Sequence, residues 1–519
     1  MKKTKIFLVA ILALAALLRL YKLAAISLWH DEAFSALLIN YPWKEMIYRI
    51  GLDVHPPVYY IALRLWADLF GHSVFALRGF SAFFGVAAVY ATYLFVKSAF
   101  GDERWALFAS LLMAVQPFQI QFVTEARMYT FGAFMLMMSA YFLSEAFKAQ
   151  KTYFEETKTS GEKNAKPSSN TIDKLWLNWF MFAVATSISI YTHYYLFFST
   201  FAIGLFVLYW LVKNYGKQWS AYRYAITVYA LVFISYIPWI KTFLFQFGQV
   251  QNNYWIPKIG TWSIPLTVWE LLTGTGGDST KKPTEILFSL GVLFTIYMLY
   301  RVIKKEHSQN KWLVVFGLVV PFLGAVALSL KQSIFLDRYF VFAGLFYTVA
   351  VAIFLKNIGL AWLKHTLLAV LVLVSVLNWA YYWKDLNPDA RPGLAAAASY
   401  LALNVKPQDK LDIGSSFEFF NFKYYNQTGV PALLYTPGIA HISDLPHYSG
   451  TALLNDNDLI QNLNANTKPG DTAWLLWTNS FGGSKPNVPA NWVEQSEQNW
   501  ADVRPYVGTY IYASKYLVK

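Results

Sequence analysis

Long apolar stretches constrain this chain more strongly than any other feature of its sequence. A helix needs roughly 20 apolar residues to cross a bilayer core about 30 Å thick. With 56% hydrophobic and 14% charged residues, the 519-residue chain is too apolar for an ordinary soluble protein. We therefore predict a polytopic α-helical membrane protein with about eleven transmembrane helices. The apolar stretches lie at 6–24, 74–96, 105–122, 128–147, 175–192, 196–212, 224–245, 284–300, 312–330, 339–355 and 365–383.

The first apolar stretch has two readings, a signal peptide or a membrane anchor. Lys2, Lys3 and Lys5 precede it, as they would in a signal peptide. Arg19 and Lys22 follow it, however, with no small-residue cleavage site before a Trp-rich loop. We therefore interpret this stretch as an anchor.

Lysine and arginine between the stretches predict the orientation of the chain, because positive residues are retained on the cytoplasmic side. An N-terminus in the cytoplasm places most of the basic loops there, and an odd number of spans sends the C-terminus outside. This predicts a multi-pass protein of the cell inner membrane. The basic groups assigned to the cytoplasm are Lys97 with Arg104, Lys148 through Lys174, Lys213, Lys217 and Arg223, Arg301, Lys304, Lys305 and Lys311, and Lys356 with Lys364.

The net charge of +13 is explained by these loops and by anionic lipid, so we expect no nucleic acid among the partners. The absence of cysteine excludes disulfides and thiolate metal sites.

Four segments differ in composition from the membrane stretches. The segment 25–73 is rich in Trp, Tyr and Pro, which suits short helices at the headgroup level of the outer face. The segment 148–174 is a Lys, Ser, Thr and Glu mixture that predicts a flexible cytoplasmic loop, and 246–283 is a further outer loop. In 384–519, apolar runs alternate with turn clusters, which predicts a C-terminal extracytoplasmic α/β domain after a transmembrane domain at 1–383.

Charged residues at the ends of membrane helices are costly and usually functional, and here they converge on the predicted outer side. A carboxylate there can take a proton from an attacking hydroxyl, and arginines can hold a phosphate leaving group. Such a set contains the groups needed to move a sugar from a lipid phosphate to a hydroxyl. Its members are Asp31, Glu32, Asp53, His55, Arg78, Glu125, Arg127, His193, Asp337 and Arg338.

The motifs around these residues resemble the GT-C class of glycosyltransferases, specifically the protein O-mannosyltransferase type and its bacterial family 39 relatives. SLWHDEAF is similar to the Asp-Glu motif of the first loop, RLYKL to the Arg-containing end of the first span, and DVHPPVYY to the His-Pro-Pro motif. ALRGFSAFFG, TEARMY, YTHYY, SYIPW and FLDRYF resemble later landmarks. WKDLNPDARPGLAAAASYL resembles the start of the outer domain that many bacterial members carry.

The resemblance implies a polyprenyl-phosphate-sugar donor, inversion at the anomeric carbon, and mannose as the sugar. It implies that Asp31 is the catalytic carboxylate with Glu32 as its neighbour, and that Arg19 and Arg78 surround the donor. The chain lacks the large MIR insertion of the eukaryotic enzymes, so the hydroxyl acceptor stays open between a protein, a lipid and a glycan.

Alternatives remain at several positions. Asp31 can be a helix cap, in which case Glu125 is the next candidate base. Arg127 and Arg338 can bind the donor phosphate or anchor to headgroups, and His193, like His55, can contact substrate or be structural. No cofactor is expected. A divalent metal is the less favoured interpretation, because no HxxxH or HxxE spacing is present. The rival functions are a polytopic transporter or lipid-linked-sugar flippase, and a receptor or scaffold.

Overall fold

The computed structural model describes residues 2–159, 167–252, 255–274, 282–480, 483–502 and 509–519. Within these ranges the chain forms eighteen α-helices and, from Lys410 onward, six strands of one sheet. The last helix lies between the first two strands. The helices are α1 (Lys2–Leu20), α2 (His30–Leu38), α3 (Trp43–Leu52), α4 (Val58–Phe70), α5 (Val74–Phe100), α6 (Glu103–Val115), α7 (Pro117–Gln121), α8 (Tyr129–Thr159), α9 (Ser169–Ile190), α10 (Leu196–Tyr215), α11 (Arg223–Asn252), α12 (Ser263–Thr273), α13 (Lys282–Lys305), α14 (Lys311–Ser329), α15 (Val341–Lys356), α16 (Ala361–Leu386), α17 (Gly393–Asn404) and α18 (Ser416–Tyr425).

Each of the eleven apolar stretches is helical, but fewer of them meet a strict test for a membrane span. Among the described residues, eight helices are long and apolar enough to cross a membrane, or nine if one bent pair counts as a single span. The first and fifth stretches form α1 and α9, which are not among these helices. Charged residues lie at both ends of α1, and Asp173, Lys174 and Asn178 lie in the first half of α9. The polytopic helical architecture is confirmed, whereas the count of about eleven is not.

The third apolar stretch is broken rather than continuous. Helices α6 and α7 meet at an angle of 53° around Gln116 and Pro117. A proline has no N–H for the helix ladder, so carbonyls at the end of α6 lose their usual partners. Arg19 donates to two of them, the carbonyls of Ala114 (2.8 Å) and Met113 (3.2 Å). Arg19 therefore stabilises a helix break.

Two predictions about connecting segments have different outcomes. The segment 25–73 contains three helices, α2 to α4, as its aromatic pattern suggests. The prediction of a flexible loop at 148–174 is wrong for most of its length, because α8 continues to Thr159 and α9 begins at Ser169. Residues 160–166 lie outside the described residues. Local composition missed these helical residues because both helices continue from apolar sequence into polar sequence.

The C-terminal part forms the expected α/β domain around a six-stranded mixed sheet of order β3-β2-β1-β4-β6-β5. Strands β3, β2, β1 and β4 are parallel, and β6 and β5 are added antiparallel. Central strand β4 is apolar and buried, as a strand covered on both faces must be, whereas edge strand β5 is polar and exposed. The strands are β1 (Lys410–Ile413), β2 (Leu433–Tyr435), β3 (Leu459–Ile460), β4 (Thr472–Thr478), β5 (Trp492–Ala501) and β6 (Tyr510–Val518).

This domain packs directly on the helices of the segment 25–73. The backbone N–H of Leu28 donates to the Tyr425 hydroxyl at 2.9 Å, and Arg49 Nη1 donates to the Ala452 carbonyl at 2.8 Å. The His30 ring lies 5.1 Å from the ring of Phe417, at the start of α18. The sheet domain therefore covers the end of the bundle at which α2 begins.

Candidate active site

A cavity of about 560 Å³ lies between the helix bundle and the sheet domain. Its walls come from α2, from the turn after α3, from the starts of α8 and α15, and from the C-terminal domain. Carboxylates, guanidinium groups, imidazoles and aromatic rings all face it. The lining residues are Trp29, His30, Asp31, Phe34, Asp53, Val54, His55, Arg127, Tyr129, Trp255, Arg338, Tyr339, Phe417, His447, Tyr448 and Gly450.

Asp31 is the second residue of α2, and its carboxylate is 31% exposed toward this cavity. Its Oδ2 lies 3.9 Å from Arg127 Nη2 and 3.9 Å from Arg338 Nη1. Burial alone raises the pKa of Asp31, but the charges of Arg127, His30 and Arg338 outweigh burial and hold that pKa below its usual value. Asp31 is therefore an ionised hydrogen-bond acceptor within reach of a bound molecule.

Glu32, expected either to act beside the catalytic carboxylate or only to orient it and bind an arginine, does not line the cavity and is fully buried. It accepts hydrogen bonds from Arg78 Nη2 (2.7 Å), Arg78 Nε (2.8 Å) and the backbone N–H of Ala126 (2.7 Å). These bonds connect α2 to α5 and to the turn before α8. Glu32 therefore fixes the start of α2, the helix that carries Asp31.

Arg78 was expected beside the donor phosphate, and the structure gives it a different position. It is fully buried, and besides its two bonds to Glu32 it donates to the carbonyls of Leu23 (3.0 Å), Ile26 (2.8 Å) and Ser27 (3.1 Å). All five N–H donors of a guanidinium are thus used within the protein. Arg78 has no donor left for a phosphate and instead fixes the chain between α1 and α2.

Arg127 and Arg338 both line the cavity but differ in how firmly they are held. Arg127 is 4% exposed and donates to the Asp31 carbonyl (3.2 Å), to Ser35 Oγ (3.3 Å) and to His55 Nε2 (3.2 Å). Arg338 is 26% exposed and lies over the ring of Trp29, 5.2 Å from its centroid. Arg338 is therefore the cation that is more accessible to an anionic group in the cavity.

Comparison with known proteins agrees with this architecture. Residues 54–155 match the family described as dolichyl-phosphate-mannose-protein mannosyltransferase. The structure of ArnT from Cupriavidus metallidurans bound to undecaprenyl phosphate aligns with a TM-score of 0.59 at 12% identity, over 98% of this chain and 97% of that chain. The family match covers only part of the chain, and at this identity the alignment with ArnT shows that the two chains share a fold.

A second solved structure has a similar fold. Archaeal oligosaccharyltransferase AglB from Archaeoglobus fulgidus, in complex with an inhibitory peptide and a dolichol-phosphate, gives a TM-score of 0.50 at 12% identity, over 94% of this chain and 75% of that chain. At 12% identity, each of these comparisons shows similarity of fold alone. A comparison with curated protein sequences finds no match.

Glu125 and His193, which were expected in the same cavity, lie behind its wall. Both are buried, and neither lines the cavity. The ring of His193 lies 5.0 Å from the ring of Tyr339 and 5.9 Å from that of Tyr129, two residues that do line it. Of the residues expected to close around one cavity with Asp31, namely Arg78, Glu125, Arg127, His193 and Arg338, Arg127 and Arg338 line it. Asp53 and His55 from the predicted set line it too, whereas Arg19, Glu32 and Asp337 do not.

The sequence analysis missed the contribution of the C-terminal domain. Phe417, His447 and Tyr448 face the cavity from across the domain boundary. His447 also lines a neighbouring cavity of about 480 Å³, formed by the ends of α3 and α11 and the chain at 442–452. No motif in this part of the sequence marks these residues, because their position depends on how the domain docks.

Within the described part of the chain, no group of three or more His, Asp or Glu side chains is placed to hold a metal ion.

Proposed function

We propose that this chain is a GT-C glycosyltransferase that moves a sugar from a polyprenyl-phosphate donor to a hydroxyl acceptor at the extracytoplasmic face of the inner membrane. The observation that carries the proposal is the single cavity that contains the Asp31 carboxylate together with the guanidinium groups of Arg127 and Arg338. The lipid phosphates named in the ArnT and AglB structures support a donor of this class.

The reaction is a displacement at the anomeric carbon. The acceptor oxygen forms the new bond to that carbon while the bond to the phosphate oxygen breaks, and polyprenyl phosphate leaves with the bonding electrons. Asp31 accepts the hydroxyl proton, and Arg338, with Arg127 beside it, neutralises the charge that develops on the phosphate. Attack from the face opposite the leaving group inverts the anomeric centre.

Aromatic residues complete the proposed sugar pocket. Trp29, Tyr129, Trp255 and Tyr339 line the same cavity and offer the flat apolar surfaces on which pyranose rings pack. Mannose is the proposed sugar because the matched family is described as a mannosyltransferase. The acceptor is a protein, lipid or glycan hydroxyl.

The proposed organisation assigns 1–383 to the transmembrane catalytic domain, with 25–73 as its catalytic loop, and 384–519 to an extracytoplasmic domain. The rival function, a transporter or lipid-linked-sugar flippase, places its ionisable residues near the bilayer midplane. Here they gather at one end of the bundle, beneath the sheet domain. This location favours an enzyme.

The test is release of polyprenyl phosphate from labelled polyprenyl-phosphate sugars by the purified protein, with membranes of the expressing cells as the source of acceptor. An enzyme releases polyprenyl phosphate and labels an acceptor, with mannose preferred over other sugars. A flippase moves the donor between leaflets without cleaving it, and that result would refute the proposal.

A further inference from the structure

Asp53 and His55 form a hydrogen-bonded chain that ends on Arg127. The His55 Nδ1 lies 2.9 Å from Asp53 Oδ2, and the His55 Nε2 lies 3.2 Å from Arg127 Nη2. All three residues line the cavity that contains Asp31.

The partners of His55 determine where its proton lies. A guanidinium group can only donate hydrogen bonds, so the Nε2 of His55 must be the acceptor in its bond with Arg127. The ring proton is therefore on Nδ1, where it is donated to the carboxylate of Asp53. The opposite tautomer would point an N–H at the guanidinium.

The bond between Arg127 and His55 explains why Arg127 stays apart from the Asp31 carboxylate. Charge-assisted bonds between arginine and a carboxylate usually close to about 2.7–2.9 Å. Here Arg127 Nη2 stays 3.9 Å from Asp31 Oδ2 and donates to His55 instead. His55 thus holds Arg127 close enough to stabilise negative charge without covering the carboxylate.

We propose that Asp53 is a positioning residue for glycosyl transfer, an inference that rests on the proposed role of Asp31. Asp53 keeps the proton of His55 on Nδ1, so that Nε2 accepts from Arg127 and restrains it. The carboxylate of Asp31 then remains open to the acceptor hydroxyl. Without Asp53, the imidazole populates both tautomers and Arg127 closes on Asp31.

The test compares Asp53→Ala, His55→Gln and the double variant. We expect Asp53→Ala to lower kcat roughly tenfold or more, while the affinity for undecaprenyl phosphate, held mainly by Arg338, stays within about twofold. His55→Gln retains an acceptor near the position of Nε2 and should keep more activity. Adding Asp53→Ala to His55→Gln should have no further effect, because Asp53 acts only through the imidazole.

A second readout is independent of activity. The method is nuclear magnetic resonance of full-length protein with ¹⁵N-labelled histidine, in which the resonances absent from His55→Gln identify His55. In Asp53→Ala, the fraction of His55 that carries its proton on Nε2 should rise. Asp456→Ala is the matched control, because Asp456 Oδ2 lies 3.1 Å from His441 Nδ1 in an exposed pair outside the cavity. It should change neither kcat nor the spectrum of His55.

Unchanged kcat in Asp53→Ala, or independent effects of the two substitutions, would overturn the positioning role. If Asp53→Ala does not fold, Asp53→Asn replaces it, since its amide oxygen can still accept from Nδ1 without the charge, and an intermediate loss is expected. A wild-type protein that releases no polyprenyl phosphate would refute the proposed function, and with it the role of Asp53 in transfer. An active wild type with fully active Asp53 variants would refute the positioning role alone.

Discussion

Replacing Arg78 with methionine should destabilise the fold rather than only weaken donor binding. The side chain is fully buried and uses two donors on Glu32 and three on backbone carbonyls. Its removal leaves Glu32 buried without its counter-charge. Breaking a buried ion pair by removing one partner typically costs about 3–5 kcal/mol, and we expect Arg78→Met to lower the free energy of unfolding by that amount.

A double-mutant cycle separates the charge pair from the three carbonyl bonds. Removing both charges leaves no unpaired carboxylate, so Glu32→Leu with Arg78→Met should cost less than the sum of the single changes, with a coupling of about 1–3 kcal/mol. Denaturant unfolding of the protein in nanodiscs measures each value. Lys22→Met is the matched control, because Lys22 pairs with Asp389 at the surface and its loss should leave the unfolding midpoint unchanged. Destabilisation by Arg78→Met of less than about 0.5 kcal/mol would refute this account of the pair.

Three further predictions concern the cavity. Asp31→Asn should lower turnover by about 10²–10⁴ in a folded protein, and a near wild-type rate for the variant would leave Asp31 without a catalytic role. Because the pKa of Asp31 is held below its usual value, protonation of Asp31 should lower the wild-type rate only at more acidic pH than that at which an ordinary aspartate protonates. Arg338→Lys should weaken binding of undecaprenyl phosphate by roughly tenfold, because the positive charge remains but the paired N–H donors of the guanidinium group are lost. An unchanged affinity in a fluorescence titration would show that Arg338 does not bind the phosphate. His447 lines both the cavity of Asp31 and its neighbour, so we expect an acceptor that reaches Asp31 through the neighbouring cavity to contact it. His447→Gln should then raise the KM for acceptor while His441→Gln, in the exposed pair outside the cavity, should not, and equal kinetics of the two variants would exclude this contact.

Much of the architecture was predictable because it depends on local sequence. Apolar length gave the helices of the bundle, and alternating apolar runs and turns gave the α/β domain after α16. The exact number of membrane spans was not predictable, because Pro117 breaks one apolar stretch and α9 is not apolar enough to count as a membrane span. The helical continuation of α8 to Thr159 was missed because helix propagation from a membrane span overrides a locally polar composition.

The amino-acid sequence by itself determined the membrane-embedded class of the protein, the position of Asp31 at the start of a helix, and the set of charged residues at one end of the bundle. Only the tertiary structure decided which members of that set face the cavity. Arg78 and Arg338 are the same residue type near helix ends, yet the first is enclosed by Glu32 and backbone carbonyls and the second lies open beside Trp29. A guanidinium group binds whichever carboxylates and carbonyls surround it, and these neighbours come from distant parts of the chain that only packing brings together.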